Sequence, residues 1–259
     1  MNVLRTLKEL HQFVTEKKQA GKEIGFVPTM GFLHAGHISL IHLSKKYSDV
    51  TIASIYVNPS QFNDVNDFNK YPKNEEGDLR LLKANFCDAV FIPEQAQIDS
   101  LQKVSIDLGG LDNIMEGICR PGHFQGVVEV VYRLFSVVMP DKAFFGEKDF
   151  QQLQIIKKMV ETLNLPVEII GAPILREPNG LAMSSRNSRL SREARENTGF
   201  IYEVLKSFVK TEKHILEKRL FESGFKLEYL EKHDFGGQKR LFIAGVYDGV
   251  RLIDNIELN

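Results

Sequence analysis

Two histidines three residues apart, His34 and His37, are the residues whose types and spacing most clearly allow chemistry. They are the first and last residues of the segment His34-Ala35-Gly36-His37, here called the histidine box. The box follows the apolar segment Ile24–Val27 and opens a helical pattern. We therefore expect both imidazoles at the start of a helix that follows a strand. Such a helix terminus presents unpaired backbone N–H groups and a positive dipole end, which suits phosphate. The box predicts a site for the phosphate chain of a nucleotide.

Two other interpretations of the box remain open at this point. The histidines could bind a metal, although no His-Glu-x-x-His or Cys-x-x-Cys pattern completes a ligand set. They could also simply cap the helix. Taken alone, the box supports a phosphate site and an ordinary strand–helix turn equally.

The composition limits the class of protein. The chain has 259 residues, enough for one large domain or two smaller ones. Its 33 basic and 34 acidic residues argue against a general nucleic-acid binder, which is usually basic. No apolar run reaches transmembrane length, and Met1–His11 lacks the apolar core of a signal peptide. We therefore expect a cytoplasmic protein with no nucleic-acid or membrane partner, and buried or partly buried free thiols at Cys87 and Cys119.

Strand and helix patterns alternate along the first two thirds of the chain. This alternation predicts an α/β fold with a mostly parallel sheet, in which ligands bind at the carboxyl ends of the strands. The loop 173–190 is rich in Pro, Gly, Ser, Asn and Arg, and the pattern changes there. We predict one domain over residues 1–175 and a small α+β C-terminal domain over residues 176–259. The predicted elements are helices at 4–19, 35–47, 74–85, 124–138, 150–163, 192–210 and 213–223, and strands at 23–28, 50–57, 89–93, 104–108, 143–145, 167–170, 226–231 and 240–246.

Four further polar segments follow predicted strands or lie in flanking loops. Asn58 and Gln61 offer amides to a ligand with hydroxyl and carboxylate groups, although an Asn-Pro turn explains them as well. Arg120 and His123 could face an anion, and a Pro-Gly turn before a helix is the local alternative. Lys148 suits phosphate as a point charge. The fourth segment, Met183-Ser184-Ser185-Arg186, could bind phosphate oxygens from a mobile loop or be only a solvated linker.

Taken in order, these segments resemble the motif series of the pantothenate synthetases (pantoate–β-alanine ligases). A lone histidine box is shared by many nucleotidyltransferases, whereas the full series is highly specific and spans almost the whole chain. The matching segments are Val27–His37, Tyr56–Phe62, Tyr71–Lys73, Arg120–Val127, Phe145–Leu153, Arg176–Asn187 and Arg251–Asn255.

The resemblance implies a Rossmann-like nucleotidyltransferase domain, a small C-terminal lid and a homodimer. It also implies a reaction in pantothenate biosynthesis, in which ATP drives the condensation of (R)-pantoate with β-alanine and yields AMP and pyrophosphate. A pantoyl adenylate would be the intermediate. Closure of the loop 176–190 would protect that intermediate from water.

The resemblance also assigns roles to matching positions. His37, His34, Lys148 and Arg186 would be catalytic, Gln61 and Gln152 would bind the substrates, and Asp78 matches an acidic position linked to Mg²⁺. The residues implied to bind ATP are Met30, Gly31, Phe32, Leu33, His34, Ala35, Gly36, His37, Gly146, Glu147, Lys148, Asp149, Leu175 (through its backbone), Met183, Ser184, Ser185 and Arg186.

Several positions depart from the family pattern. Lys73 replaces an arginine, Glu129 stands where threonine is common, and Asn179 replaces an aspartate. The C-terminal lid domain over residues 176–259 is shorter than is usual in this family. Two alternatives to the ligase are an adenylyl transferase related to the aminoacyl-tRNA synthetases and a non-catalytic nucleotide-binding regulator. The short, non-basic chain disfavours the first, and the intact set of polar motifs disfavours the second.

Overall fold

The computed structural model describes residues 1–62 and 68–258. The chain forms two compact units. The first comprises Met1–Glu147 and Gln151–Ala172, and the second comprises Lys148–Phe150 and Pro173–Asn259. The predicted boundary after residue 175, and the lid role of the residues that follow it, stay predictions.

The first unit is a parallel six-stranded sheet with helices between the strands. The strands are β1 (Asn2–Leu4), β2 (Ile24–Thr29), β3 (Val50–Ile55), β4 (Ala89–Phe91), β5 (Lys142–Gly146) and β6 (Glu168–Ala172). The helices are α1 (Leu7–Gln19), α2 (Ala35–Tyr47), α3 (Glu75–Ala84), α4 (Gln95–Asp99), α5 (Glu116–Cys119), α6 (His123–Val138) and α7 (Phe150–Thr162), with short 3₁₀ turns at Pro59–Gln61 and Glu147–Asp149. Of these residues, Lys148–Phe150 belong to the second unit.

The strand order β1-β4-β3-β2-β5-β6 determines where a ligand can bind. From β4 to β6 this is the order of a Rossmann fold, with β1 added at the edge. The chain passes from β2 to β3 on one side, and later places β5 on the other side of β2. Because the order in which strands are added to the sheet changes direction at β2, the carboxyl end of β2 is the topological switch point, where such sheets bind ligands. The central strands are almost continuously apolar, and Phe26, Ile52 and Phe144 are fully buried.

The second unit is a small α+β unit. It contains the 3₁₀ turn Ser185–Arg189, the helices α8 (Arg192–Asn197), α9 (Phe200–Ser207) and α10 (Lys213–Glu222), and the strands β7 (Lys226–Phe235), β8 (Gln238–Tyr247) and β9 (Val250–Glu257). The three strands form an antiparallel sheet in the order β7-β8-β9. Its core is a separate apolar cluster that includes Leu205, Leu216, Leu220 and Leu241. The predicted fold class, a Rossmann-like parallel sheet with a small α+β domain, is confirmed.

Several expectations for individual elements differ from the structure. The chain begins with strand β1 before α1, rather than with one helix over 4–19. Residues 104–108 form no strand, and the expected helix 192–210 is divided into α8 and α9. Strand β9 is not among the predicted elements. Its sequence, Val-Arg-Leu-Ile-Asp-Asn-Ile-Glu, does not show a simple alternation of apolar and polar residues. The polar residues Asp254 and Asn255 occupy buried positions, where apolar residues would have indicated a strand.

The two cysteines differ in environment. Neither is in a disulfide, and Cys87 is buried as expected. Burial raises the pKa of the Cys87 thiol to about 12. The expectation for Cys119 was wrong, because this residue is exposed in the short helix α5. Among the described residues, no helix is long and apolar enough to span a membrane.

Candidate active site

The turn between β2 and α2 carries the histidine box, and hydrogen bonds fix its shape. The Thr29 hydroxyl donates to Ser54 O (2.6 Å) and accepts the Gly31 N–H (3.1 Å). Gly31 and Phe32 both have positive φ angles, 78° and 48°. Glycine adopts such angles at little cost, but phenylalanine does so rarely. The surrounding contacts must therefore maintain the conformation at Phe32.

His34 and His37 both take part in the cap of α2. His34 Nδ1 accepts the Gly36 N–H (3.1 Å), and His37 Nδ1 accepts the His34 N–H (3.3 Å). The two ring centroids lie 4.1 Å apart. Because each Nδ1 is an acceptor, each neutral imidazole carries its proton at Nε2. The capping interpretation is therefore correct, and each neutral ring is in the Nε2–H tautomer.

Asp78 anchors the same turn from helix α3. The Asn74 side chain caps this helix by accepting the Gly77 N–H (3.1 Å), so the first turn is well defined. From that turn, Asp78 Oδ2 accepts the Phe32 N–H (2.8 Å) and Oδ1 accepts the Leu33 N–H (2.7 Å). The residue is only 2% exposed. Burial raises the pKa of the Asp78 carboxyl, and the two backbone N–H groups oppose that rise.

Gln61 contacts Met30, which precedes the box, and is held from its backbone. Its carbonyl oxygen accepts from His123 Nδ1 (2.8 Å) and from Arg120 Nη2 (3.1 Å). Arg120 Nη1 is 3.1 Å from His123 Nε2, so the imidazole carries its proton at Nδ1. The Gln61 side chain donates to Met30 Sδ (2.7 Å). Arg120 and His123 thus fix Gln61, a role that their sequence positions do not indicate.

Asn58 and Gly126 complete this support. Asn58 is buried, caps the 3₁₀ turn by accepting the Ser60 N–H (3.2 Å), and donates to Gly126 O (3.0 Å). A Cβ at Gly126 would lie 2.6 Å from Ser60 O, so only glycine allows helix α6 to approach the turn this closely. For Asn58 the local structural interpretation is the right one.

The adjacent residues Gln151 and Gln152 have different environments. Gln151 is 3% exposed, and its Nε2 donates to Leu111 O (2.7 Å) and Ile114 O (2.9 Å). Its Oε1 accepts the Glu116 N–H (3.1 Å). Gln151 therefore ties the loop before α5 to helix α7. Gln152 is only partly buried, so of the two it is the one accessible to a substrate.

In the second unit, the motif Arg251–Asn255 positions two of the expected ATP-binding segments. Asn255 Nδ2 donates to Lys148 O (3.0 Å), and Asn255 Oδ1 accepts from Arg240 Nη1 (2.7 Å). The Lys148 ammonium lies 3.9 Å from Asp149 Oδ2. Sequence reasoning gives Asn255 no role, because its partners are distant in the chain.

The loop that begins at Arg176 is also anchored by this motif. Arg176 Nη2 donates to Asp254 Oδ1 (2.9 Å), Nη1 donates to Gly180 O (3.0 Å), and the guanidinium stacks 3.9 Å from the Tyr202 ring centroid. Asp254 is buried. Burial raises the pKa of its carboxyl, and the Arg176 guanidinium opposes that rise. A buried carboxylate is retained at such a position only when it is paired in this way.

The Met183–Arg186 segment is ordered rather than a solvated linker. Met183 N–H donates to Leu175 O (3.0 Å), an isolated bridge joins Arg176 to Ala182, and Ser184 Oγ accepts the Arg186 N–H (3.3 Å). Ser185 is 6% exposed. The loop is therefore a built part of the second unit.

The three departures from the family pattern each have a partner in the structure. Glu129 Oε1 pairs with Arg133 Nη2 (2.9 Å), so its charge is balanced by a buried guanidinium on the same helix. Asn179 Nδ2 donates to Arg195 O (2.7 Å) and Glu196 O (3.2 Å), which an aspartate could not do. The Lys73 ammonium lies 5.8 Å from the Phe68 ring centroid and keeps a positive charge after the Tyr-Pro pair.

The expected site residues divide between the two units. Within the first unit, the structure brings Asp78 to the turn that enters the histidine box and Gln61 to Met30 of the same turn. Gln152, Gly146 and Glu147 also belong to this unit. Within the second unit, Lys148 and the loop from Leu175 are linked through the Arg251–Asn255 motif. The second unit holds Lys148, Asp149, Leu175, Met183, Ser184, Ser185 and Arg186.

Sequence comparison identifies the relatives of this chain. The model of the pantoate-beta-alanine ligase family matches residues 2–257. The pantothenate synthetase of Christiangramia forsetii is 48% identical over 282 residues, which include all of both chains. That alignment contains positions that this 259-residue chain lacks. The pantothenate synthetase of Cytophaga hutchinsonii is 42% identical, with 98% of each chain covered.

Solved structures give the same result. The pantothenate synthetase of Thermus thermophilus superposes with a TM-score of 0.90 at 36% identity, with 99% of each chain covered. The pantoate-beta-alanine ligase of Francisella tularensis, solved with beta-gamma ATP and beta-alanine, has a TM-score of 0.91 at 38% identity. That match covers 99% of this chain and 97% of the other. The resemblance seen in the motifs is confirmed, and the chain belongs to the pantoate-beta-alanine ligase family.

Proposed function

We propose that this chain condenses (R)-pantoate with β-alanine at the expense of ATP, and releases pantothenate, AMP and pyrophosphate. The observation that carries the proposal is its likeness, over nearly its whole length, to a ligase solved with ATP and β-alanine. Family membership also favours this reaction over the two alternatives, a tRNA-linked adenylyl transferase and a nucleotide-binding regulator.

The chemistry requires an activated carboxyl group. A free carboxylate is a poor acceptor for an amine because oxide would be the leaving group. In the proposed first step, a pantoate carboxylate oxygen attacks the α-phosphorus of ATP, pyrophosphate leaves, and pantoyl adenylate forms. In the second step the β-alanine amine attacks the pantoyl carbonyl, the amine loses a proton, and AMP leaves with the former carboxylate oxygen.

In the first unit, the histidine box and Gln61 are suited to the first step. The Nε2–H tautomer of His34 and His37 can donate to phosphate oxygens as negative charge develops on them. The N-terminus of α2 adds backbone N–H groups to the same anion, with Met30–His37 as the proposed ATP contact. Gln61, whose backbone is held by Arg120 and His123, and Gln152 are proposed to bind pantoate, with Gln61 also contacting β-alanine.

For the second unit, we propose the phosphate contacts that the family motifs imply. Lys148 and Arg186 would stabilise charge on the phosphates, and the Ser184 and Ser185 hydroxyls would donate to phosphate oxygens. The backbone at Leu175 would contact the adenine. Support for Lys148 and the loop comes from the hydrogen bonds by which Asn255 and Asp254 fix their backbones and neighbours.

Mg²⁺ is proposed as a companion of ATP, but the Asp78 region does not fit a metal site. Both Asp78 oxygens already accept backbone N–H groups. In the ranges 1–62 and 68–258, no group of three or more His, Cys, Asp or Glu residues is arranged to hold a metal ion. No step of the proposed reaction uses a metal held by these side chains. A homodimer in the cytoplasm, as the family resemblance and the composition suggest, completes the proposal.

An AMP-release assay tests the proposed reaction. We expect AMP and pyrophosphate in equal amounts with ATP, pantoate and β-alanine, because both products arise in one turnover. We expect no sustained AMP release when either pantoate or β-alanine is left out. Absence of AMP with this pair, together with turnover of a different acid, would contradict the substrate assignment and leave the fold unaffected.

His37→Ala tests the role of the box in the first step. We expect adenylate formation to slow by about a hundredfold, with a much smaller change in pantoate binding, because a donor to developing charge is lost. His42→Ala is the matched control, since His42 is an exposed histidine of the same helix that contacts Asn85. Rapid-quench measurement of pantoyl adenylate gives the rate. Equal losses in rate and in pantoate affinity would refute a transition-state role for His37.

Gln152→Ala tests the choice of acid. We expect the pantoate KM to rise by about tenfold or more while the ATP KM changes little, because hydrogen bonds to the substrate are lost. Gln154→Ala is the control, since residues two apart on a helix do not share a face. Steady-state kinetics with each substrate varied separately give both constants. Unchanged pantoate kinetics in Gln152→Ala would remove this residue from the pantoate site.

A further inference from the structure

Asp78 is a buried carboxylate whose contacts are with the backbone of the histidine-box turn. It projects from the first turn of α3, and its two oxygens accept the N–H groups of the consecutive residues Phe32 and Leu33 at 2.8 and 2.7 Å. These residues are 46 and 45 positions earlier in the chain. The contact therefore fixes the entry to α2 from a distant element.

The turn needs such an anchor. Phe32 has a φ of 48°, in a region that side-chain-bearing residues enter only at a cost. The conformation aims two successive N–H groups at one side, and a carboxylate can accept both because each oxygen is an acceptor. The N–H of Leu33 lies in a buried position, where loss of its partner is costly.

The surroundings of Asp78 leave little space for a metal ion on the side of the turn. A Cβ placed on Gly31 would lie 3.0 Å from Asp78 Oδ2 and 3.0 Å from Ile55 Cγ2. The residue is 2% exposed, so its oxygens are not presented to solvent. Mg²⁺ beside a nucleotide is usually held by one or two carboxylates together with substrate phosphates and waters, whereas both Asp78 oxygens are directed at backbone N–H groups of the turn.

We propose that Asp78 is a positioning residue that holds the Gly31–Leu33 turn in its observed shape, rather than a ligand of magnesium. By fixing the two amides before His34, it sets the start of α2 and hence the arrangement of the two imidazoles. The consequence for catalysis rests on the proposed function, whereas the consequence for the turn does not.

Asp78→Asn tests the proposal without any ligand. Asparagine keeps the size of the side chain but offers only one acceptor oxygen, so one of the two amides loses its partner. We expect amide hydrogen exchange at Phe32 or Leu33 to accelerate by about tenfold or more in the nucleotide-free, metal-free protein. Asp141→Asn is the control, because Asp141 Oδ2 accepts the Ile24 N–H (2.7 Å) at the opposite end of β2. It should leave Phe32 and Leu33 unchanged.

Kinetics of the same variant separate the two roles. A positioning residue predicts a rise of about tenfold in the ATP KM and an unchanged Mg²⁺ concentration for half-maximal activity at saturating ATP. A higher Mg²⁺ requirement with normal amide exchange would overturn the proposal. If the wild-type chain releases no AMP, the proposed function fails, and the exchange measurement still decides the role of Asp78.

A measurement on the wild-type chain covers the case in which Asp78→Asn does not fold. Millimolar Mg²⁺ alone, added without nucleotide, should leave the amide resonances of Phe32, Leu33 and Asp78 in place. Saturable shifts of these three resonances with Mg²⁺ alone would show a metal at Asp78 and would contradict the proposal.

Discussion

The structure of the first unit depends on one constraint, the parallel pairing of β2 with β3 on one side and β5 on the other. Parallel strands share the direction of their carboxyl ends, so the loops that follow them emerge at one edge of the sheet. The histidine box follows β2, the turn with Gln61 follows β3, and Gly146 ends β5. The apolar burial of these strands, with Phe26, Ile52 and Phe144 fully enclosed, keeps this edge in place.

Buried polar contacts convert this edge into a defined surface. Asp78 holds the turn before His34, and the Arg120–His123 pair holds the carbonyl of Gln61. In the second unit, Asp254 does the same for Arg176. Removing one partner from a buried pair of this kind costs about 1–3 kcal/mol, and more when a charge is left alone. Such a cost is a large share of the stability of a domain, which is why these groups constrain the loops so strongly.

Sequence reasoning recovers what is local and misses what depends on distant partners. The predicted helix over residues 35–47 has the observed ends, because the box, the apolar spacing and the terminal lysines all agree. Strand β1 escapes prediction because it has only three residues and gains its stability from pairing with β4. The contacts of Asp78 with Leu33, of Arg120 with Gln61 and of Asn255 with Lys148 escape it too, because each joins residues that are 45 or more positions apart. Residues 104–108 are predicted as a strand and form none. An alternation of apolar and polar residues does not form a strand unless a neighbouring strand pairs with it.

Labelling the pantoate carboxylate with oxygen-18 tests the central claim, activation of pantoate as an acyl adenylate, most directly. If a carboxylate oxygen attacks the α-phosphorus and AMP later leaves from the acyl carbon, one labelled oxygen must be transferred to AMP in each turnover. Mass spectrometry of the released AMP measures this transfer. We expect one oxygen-18 atom in AMP and none in pyrophosphate. Unlabelled AMP, or label in inorganic phosphate with release of ADP, would contradict the account.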